Sequence, residues 1–159
     1  MSKVIAFTGE FVPGPPILEE ADITVERLRS LLETAVIDVE LDEEGDLYLT
    51  GSGVEFPIFV RLDSDRKMIQ LFTYIRKIAT DDATVALRLN DLNTTFALGQ
   101  FHNLEDAIYS RHGVSFEDGL LPRQFVKIVR KFAGSFREAI GDMQGLLTGE
   151  DSAGLATTH

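Results

Sequence analysis

The stretch that opens at Pro122 and runs to Met143 carries the strictest pattern in the chain. Wound at about 100° per residue, Phe125, Ile128, Val129, Phe132, Phe136, Ala139 and Ile140 fall on one side, while Arg123, Lys127, Arg130, Lys131 and Arg137 centre roughly opposite. A helix of this kind is too polar to be buried all round and too apolar on its inner side to stand alone. It needs an apolar surface to cover, and the rest of the chain has to supply one.

That surface is written in the segments of period two. Ile37, Val39 and Leu41 alternate with acids, and Leu47 to Thr50 follows across the glycine-containing turn Asp42-Glu43-Glu44-Gly45-Asp46, which predicts a hairpin. After Gly51-Ser52-Gly53 the alternation resumes at Phe56, Ile58, Val60 and Leu62, and beyond Asp63-Ser64-Asp65-Arg66 an apolar segment runs from Met68 to Ile75. Four strands joined by short turns predict an antiparallel meander. Upstream, Val25, Leu28, Leu31, Leu32 and Ala35 recur at helical steps behind an N-cap at Thr24 or Asp22. Downstream, Thr80-Asp81-Asp82 predicts the start of a second helix carrying Val85, Leu89, Leu92 and Phe96 inward. Strands over Thr95 to Phe101 and Asp106 to His112 precede the last helix.

The order is therefore α-β-β-β-β-α-β-β-α. The expected fold is a two-layer α+β domain with three helices on an antiparallel sheet of five to six strands. Phe125, Val129, Phe132 and Phe136 are expected to meet Val39, Leu49, Ile58 and Val60 in its core. Residues 22–143 form this single domain. Residues 1–21, with Gly9, Pro13, Gly14, Pro15 and Pro16, predict an irregular arm, and residues 144–159 a disordered tail.

Composition narrows the chemistry. The 159 residues include no cysteine, which excludes disulfides, thiolate zinc sites, iron–sulfur ligation and thiol catalysis. A formal net charge of −11 sets the molecule as a whole against nucleic-acid phosphates. The acids crowd into the first third of the chain, whereas residues 122–159 carry five bases against four acids, the bases all on the last helix. No apolar run approaches a membrane span or a signal peptide, so the expected location is the cytoplasm.

Each cluster of reactive side chains in the sequence has a plain structural explanation. The acidic runs at residues 42–46, 63–65 and 81–82 lack the spacing of a calcium loop and read as turns or helix caps. His102, His112 and His159 do not converge with other ligands in any zinc spacing. No serine sits in a nucleophile elbow, and Gly51-Ser52-Gly53 precedes a strand rather than a helix. No catalytic, cofactor-binding or metal-binding residue is assigned, and no cofactor is expected. Asn90 and Asn93 are poor mid-helix residues whose amides either bond nearby backbone or line a polar recess. The second case defines the alternative reading, a small-ligand or metal-dependent enzyme with a recess around Asn90, Asn93, His102 and Arg111.

Several local words carry a resemblance. Residues 37–63, IDVELDEEGDLYLTGSGVEFPIFVRLD, resemble the YbjN-like family, described as bacterial sensory transduction regulators, in pairing an acidic-turn hairpin with a Phe-Pro-aliphatic strand. Leu89-Asn90-Asp91-Leu92-Asn93 is similar to that family's second helix end, Gly99-Gln100-Phe101 to its Gly-x-Phe strand, and Gly119-Leu120 with Phe125 to the start of its last helix. The resemblance spans about residues 24–142 and implies the fold of type III secretion chaperones, with helices on a strongly twisted sheet. It implies no enzymatic activity and carries over no catalytic or metal residue. The combined expectation is a non-enzymatic cytoplasmic interaction module with a regulatory or chaperone-like role. It would bind a protein or peptide partner, a homodimer being one such arrangement, through the open sheet face or an edge, without nucleic acid or membrane. Arg111, at the end of a strand, and Arg123, Lys127, Arg130 and Arg137, on the basic stripe of the last helix, are the expected partner-binding residues.

Overall fold

The computed structural model of the chain describes residues 16–77 and 81–143. A short 3-10 turn, Glu20–Asp22, leads into α1 (Val25–Thr34). Four strands follow, β1 (Asp38–Leu41), β2 (Leu47–Thr50), β3 (Ile58–Asp63) and β4 (Met68–Arg76). Then come α2 (Asp82–Thr95), β5 (Gln100–Asn103), β6 (Ala107–Ser115) and α3 (Pro122–Asp142). The strands form one antiparallel sheet in the order β1-β2-β3-β4-β6-β5, so the predicted meander is extended by a helical excursion that returns β6 beside β4. Element order and fold class agree with the sequence reading.

Local chemistry sets the ends of these elements. The Thr24 hydroxyl accepts from the Arg27 N–H at 3.1 Å, and Asp81 caps α2 by accepting from the Thr84 N–H at 3.0 Å. At the other end of α1 the Val36 N–H reaches the Glu33 carbonyl and the Ile37 N–H the Leu32 carbonyl, a Schellman closure. That closure puts Val36 at φ 63°, a conformation a β-branched residue adopts only under strain.

The helices cover one face of the sheet. Residues pointing toward them, Val39, Leu49, Ile58, Val60, Ile69 and Leu71, are buried and pack with Leu28 and Leu32 of α1 and with Phe125, Val129 and Phe132 of α3. A second cluster gathers Ile75, Ile108 and Phe101 of the sheet, Val85, Leu89 and Leu92 of α2, and Phe136, Ala139 and Ile140 of α3. The expected core set is buried as predicted, except that Phe136 joins the second cluster, its ring stacked on Phe101 with centroids 6.1 Å apart. The one polar side chain of β4 facing inward, Thr73, donates to the Pro57 carbonyl at 2.8 Å.

Two boundaries differ from expectation. α2 continues through Thr95, because the hydroxyls of Thr94 and Thr95 both fold back onto the Asp91 carbonyl at 2.8 Å, and β5 begins only after Gly99, at φ 94°, has turned the chain. β6 runs on to Ser115 because it pairs with β4 along its whole length. At the edge of the expected arm, Leu18 exchanges both backbone hydrogen bonds with Leu120 at 2.9 Å. Residues 16–21 of that arm are described and end in the 3-10 turn that starts at Glu20, whereas its residues 1–15 and the expected tail, residues 144–159, lie outside the described residues.

Two stability measurements follow. Phe132 is 1% exposed, so Phe132→Ala should lower the unfolding free energy by about 3–5 kcal/mol in a denaturant titration. Val36 is 75% exposed, and Val36→Gly should raise it by up to about 1 kcal/mol, since relief of the positive φ outweighs the added chain entropy.

Candidate functional site

Alternation along the strands leaves a second set of side chains on the face the helices do not cover. Cross-strand register brings Glu40, Tyr48, Phe59, Phe72, Arg111 and Gln100 into one row across all six strands. Beside this row Tyr74 pairs with Tyr109, and Tyr109 with His102. The rings are continuous. Tyr48 and Phe59 have centroids 5.0 Å apart, Phe59 stacks on Phe72 at 5.2 Å and on Tyr74 at 6.0 Å, Phe72 meets Tyr109 at 6.2 Å, and Tyr109 meets His102 at 6.0 Å. Neighbouring rings shade one another, so most are half-buried, whereas Tyr74 is 51% exposed. Contacts of this kind add about 0.5–1.5 kcal/mol per pair and favour the rings in these positions.

A cation lies over the row. The Arg61 guanidinium sits 5.2 Å from the Phe72 centroid and is fixed by the hairpin turn that leads into the neighbouring strand β2. Its Nε donates to both carboxylate oxygens of Asp46 at 2.9 and 3.0 Å, and its Nη2 donates to Asp46 at 2.5 Å and to Glu44 at 2.9 Å. Asp46 is 4% exposed, and its hydrogen bonds push the Arg61 pKa above its ordinary value. The acidic turn is shaped by Asp42, whose Oδ1 accepts from the Glu44 and Asp46 N–H groups at 2.9 Å, and by Gly45 at φ 87°. Among the described residues no group of three or more His, Asp or Glu converges as a metal site.

The recess expected in the alternative reading does not form. Asn93 spends its amide on the backbone of β5, accepting from the Phe101 N–H at 2.7 Å and donating to the Phe101 carbonyl at 3.1 Å. Alternation then sends Phe101 inward and His102 outward, so His102 and Arg111 lie on the opposite sheet face from Asn93, while Asn90 is exposed on α2. Of the expected partner-binding residues, Arg111 belongs to the aromatic row. Arg123, Lys127 and Arg130 line a depression between α1 and α3 on the far side of the molecule, and Arg137 lies further along α3, near Glu55 and Glu138. The aromatic row itself was not anticipated. Its signal in the sequence is that outward positions of β2, β3, β4 and β6 read Tyr48, Phe59, Phe72, Tyr74 and Tyr109, where a solvated face ordinarily carries polar residues.

The model of the family described as T3SS (YopN, CesT) and YbjN peptide-binding chaperone 1 matches residues 20–153. The chain belongs to this family. The YbjN-like, type III secretion chaperone-like resemblance read from residues 37–63 is therefore correct. The crystal structure of YbjN from E. coli shares the fold with a TM-score of 0.65, covering 79% of this chain and 96% of that one at 17% identity. No curated protein matches the sequence. Among the described residues no helix is long and apolar enough to cross a membrane.

Two measurements test this description. Asn93→Ala should destabilise the fold by about 1–3 kcal/mol, because it leaves both backbone groups of Phe101 without their partner. His102 and His112 have pKa values held below the ordinary 6.5, His102 by burial and then by the charge of Arg111, His112 by burial. The unfolded chain therefore takes up these protons first, so stability present above pH 6.5 is lost as pH falls below it. Melting temperature should drop between about pH 7 and 5. The drop should be shallower in a His102→Gln, His112→Gln double variant, and an unchanged profile would remove these two groups as its cause.

Proposed function

We propose that the protein is a non-enzymatic, cytoplasmic, chaperone-like module that holds an extended segment of a partner protein against the open face of its sheet. The uncovered aromatic row carries this reading. Six strands about 4.8 Å apart make the row roughly 24 Å long, the span of about seven residues of extended chain. Preordered rings offer apolar contact at little entropic cost, as aromatic hot spots do in protein interfaces.

The row is also polarised. Arg111 stands on β6, one strand in from the Gln100 end, with no ion pair among the described residues, and Glu40 stands at the β1 end. A segment with aromatic or aliphatic residues in its centre, an acid toward Arg111 and a base toward Glu40 complements the rings and both charges of the row. Arg61 contributes a face for stacking but no free charge, since Asp46 and Glu44 already engage it. The peptide-binding description of the family supports a peptide as the occupant.

Selection from a random library of peptides about 12 residues long tests the proposal. Enriched peptides should be rich in aromatic and aliphatic residues, and a Phe59→Thr, Tyr74→Ala variant should bind them at least about tenfold more weakly while keeping its circular dichroism spectrum. Full binding by that variant would place the peptide elsewhere. A wild-type dimer that the same substitutions dissociate would make a second copy the occupant.

A further inference from the structure

The helical side of the domain carries a different surface. Between α1 and α3 runs a groove of about 460 Å³. Its floor is made by Leu18, Leu31, Ala35, Pro122 and Val126. Its rim is cationic: Arg27 stands on one wall, and Arg123 and Lys127 on the other. None of these three takes part in an ion pair among the described residues, and no acid lines the groove. Arg130 closes one end, its Nη2 donating to the Ala35 carbonyl at 2.7 Å and tying α3 to the last turn of α1.

We infer that this groove docks a short amphipathic helix of a partner protein, apolar along one stripe and flanked by Asp and Glu. Both walls are helical, and the lining residues recur every three to four positions over about two turns, roughly 11 Å. A third helix laid between them meets that spacing with its own residues at i, i+3 or i+4, and i+7. Charge complementarity fixes the flanks. In a chain of net charge −11, three cations converge around an apolar floor that no acid lines, an arrangement that rewards an acidic ligand even though Asp22 and Glu26 lie on the outer side of Arg27. A second copy fits poorly, because its equivalent groove is cationic as well. The site is separate from the aromatic row, which lies across the sheet, and does not depend on the reading given to that row.

The probe is a fluorescein-labelled helical peptide of about 14 residues with leucine at i, i+3 and i+7 spacing and glutamate elsewhere, and its counterpart with lysine in place of glutamate. Anisotropy titration of the full chain should show the glutamate peptide binding at least about tenfold more tightly than the lysine peptide, with the difference shrinking as salt rises. Arg123→Glu with Lys127→Glu should weaken the glutamate peptide about tenfold, and Ser30→Phe, which fills the groove from an exposed position, should do the same without a change of charge. Phe59→Thr with Tyr74→Ala should leave this binding unchanged. Equal affinity for the two peptides, indifference to both groove variants, or loss only in the open-face variant overturns the inference. A wild-type dimer at low salt that the charge reversal dissociates also overturns it, since the occupant is then a second copy.

Discussion

Burial of the apolar stripe of α3 decides the rest of the molecule. The helix is 21 residues long, about 31 Å, and crosses both parts of the core, with Phe125, Val129 and Phe132 in one cluster and Phe136, Ala139 and Ile140 in the other. Because it is apolar on one side only, it binds one face of the sheet and turns its cations outward. That choice fixes which side chain of every strand is interior, and with a period of two it also fixes which are left outside. The uncovered aromatic face and the cationic groove are thus consequences of one packing decision, made in the segment with the clearest pattern.

An uncovered sheet face rich in aromatics is an aggregation hazard, and the structure holds it in check locally. Both outer strands, β1 and β5, are four residues long, and β1 carries Asp38 and Glu40. Arg61 occupies the space above Phe72 and is anchored by a buried carboxylate, so part of the ring surface is already shielded by a charge that cannot swing away. Cross-strand stacking turns the remaining rings toward one another, which shrinks the area each exposes. The acidic hairpin, in this light, contributes more than a turn. Glu44 and Asp46 are the counter-charges that hold Arg61 in place.

What the sequence made legible follows from the range of the interactions involved. Inward residues such as Ile58, Val60 and Phe132 announce themselves by local periodicity, and the caps Thr24 and Asp81 act on N–H groups three residues away. The plainer explanation of Asn93 holds, because an amide bonding backbone eight residues on is still a local event. The start of β5 was misplaced because Thr94 and Thr95, weak helix formers, are held in α2 by their own hydroxyls. The functional surfaces were harder to see because they are made by register and by tertiary pairing. Tyr48, Phe59 and Phe72 are far apart in sequence and adjacent only once the strands are aligned, and Asp46 finds Arg61 fifteen residues later. The basic stripe of α3 was visible on a helical wheel, but the apolar floor that turns Arg123 and Lys127 into the rim of a groove comes partly from α1.

The two surfaces differ in the physics they offer a ligand. On the open face the principal contact is ring against apolar side chain, which salt leaves nearly untouched, and the best-placed cation is already neutralised by Asp46 and Glu44. In the groove the cations project into solvent at the rim, where the Debye length of about 8 Å at physiological ionic strength screens all but close approach. Affinity at the open face should therefore track the apolar content of a ligand, and affinity at the groove its acidity. A packed core separates the two and does not deform continuously, so nothing in the fold requires that occupancy of one surface change the shape of the other. Selectivity between ligands then resides in the side chains of each surface, with the core serving to hold them on opposite sides of one sheet.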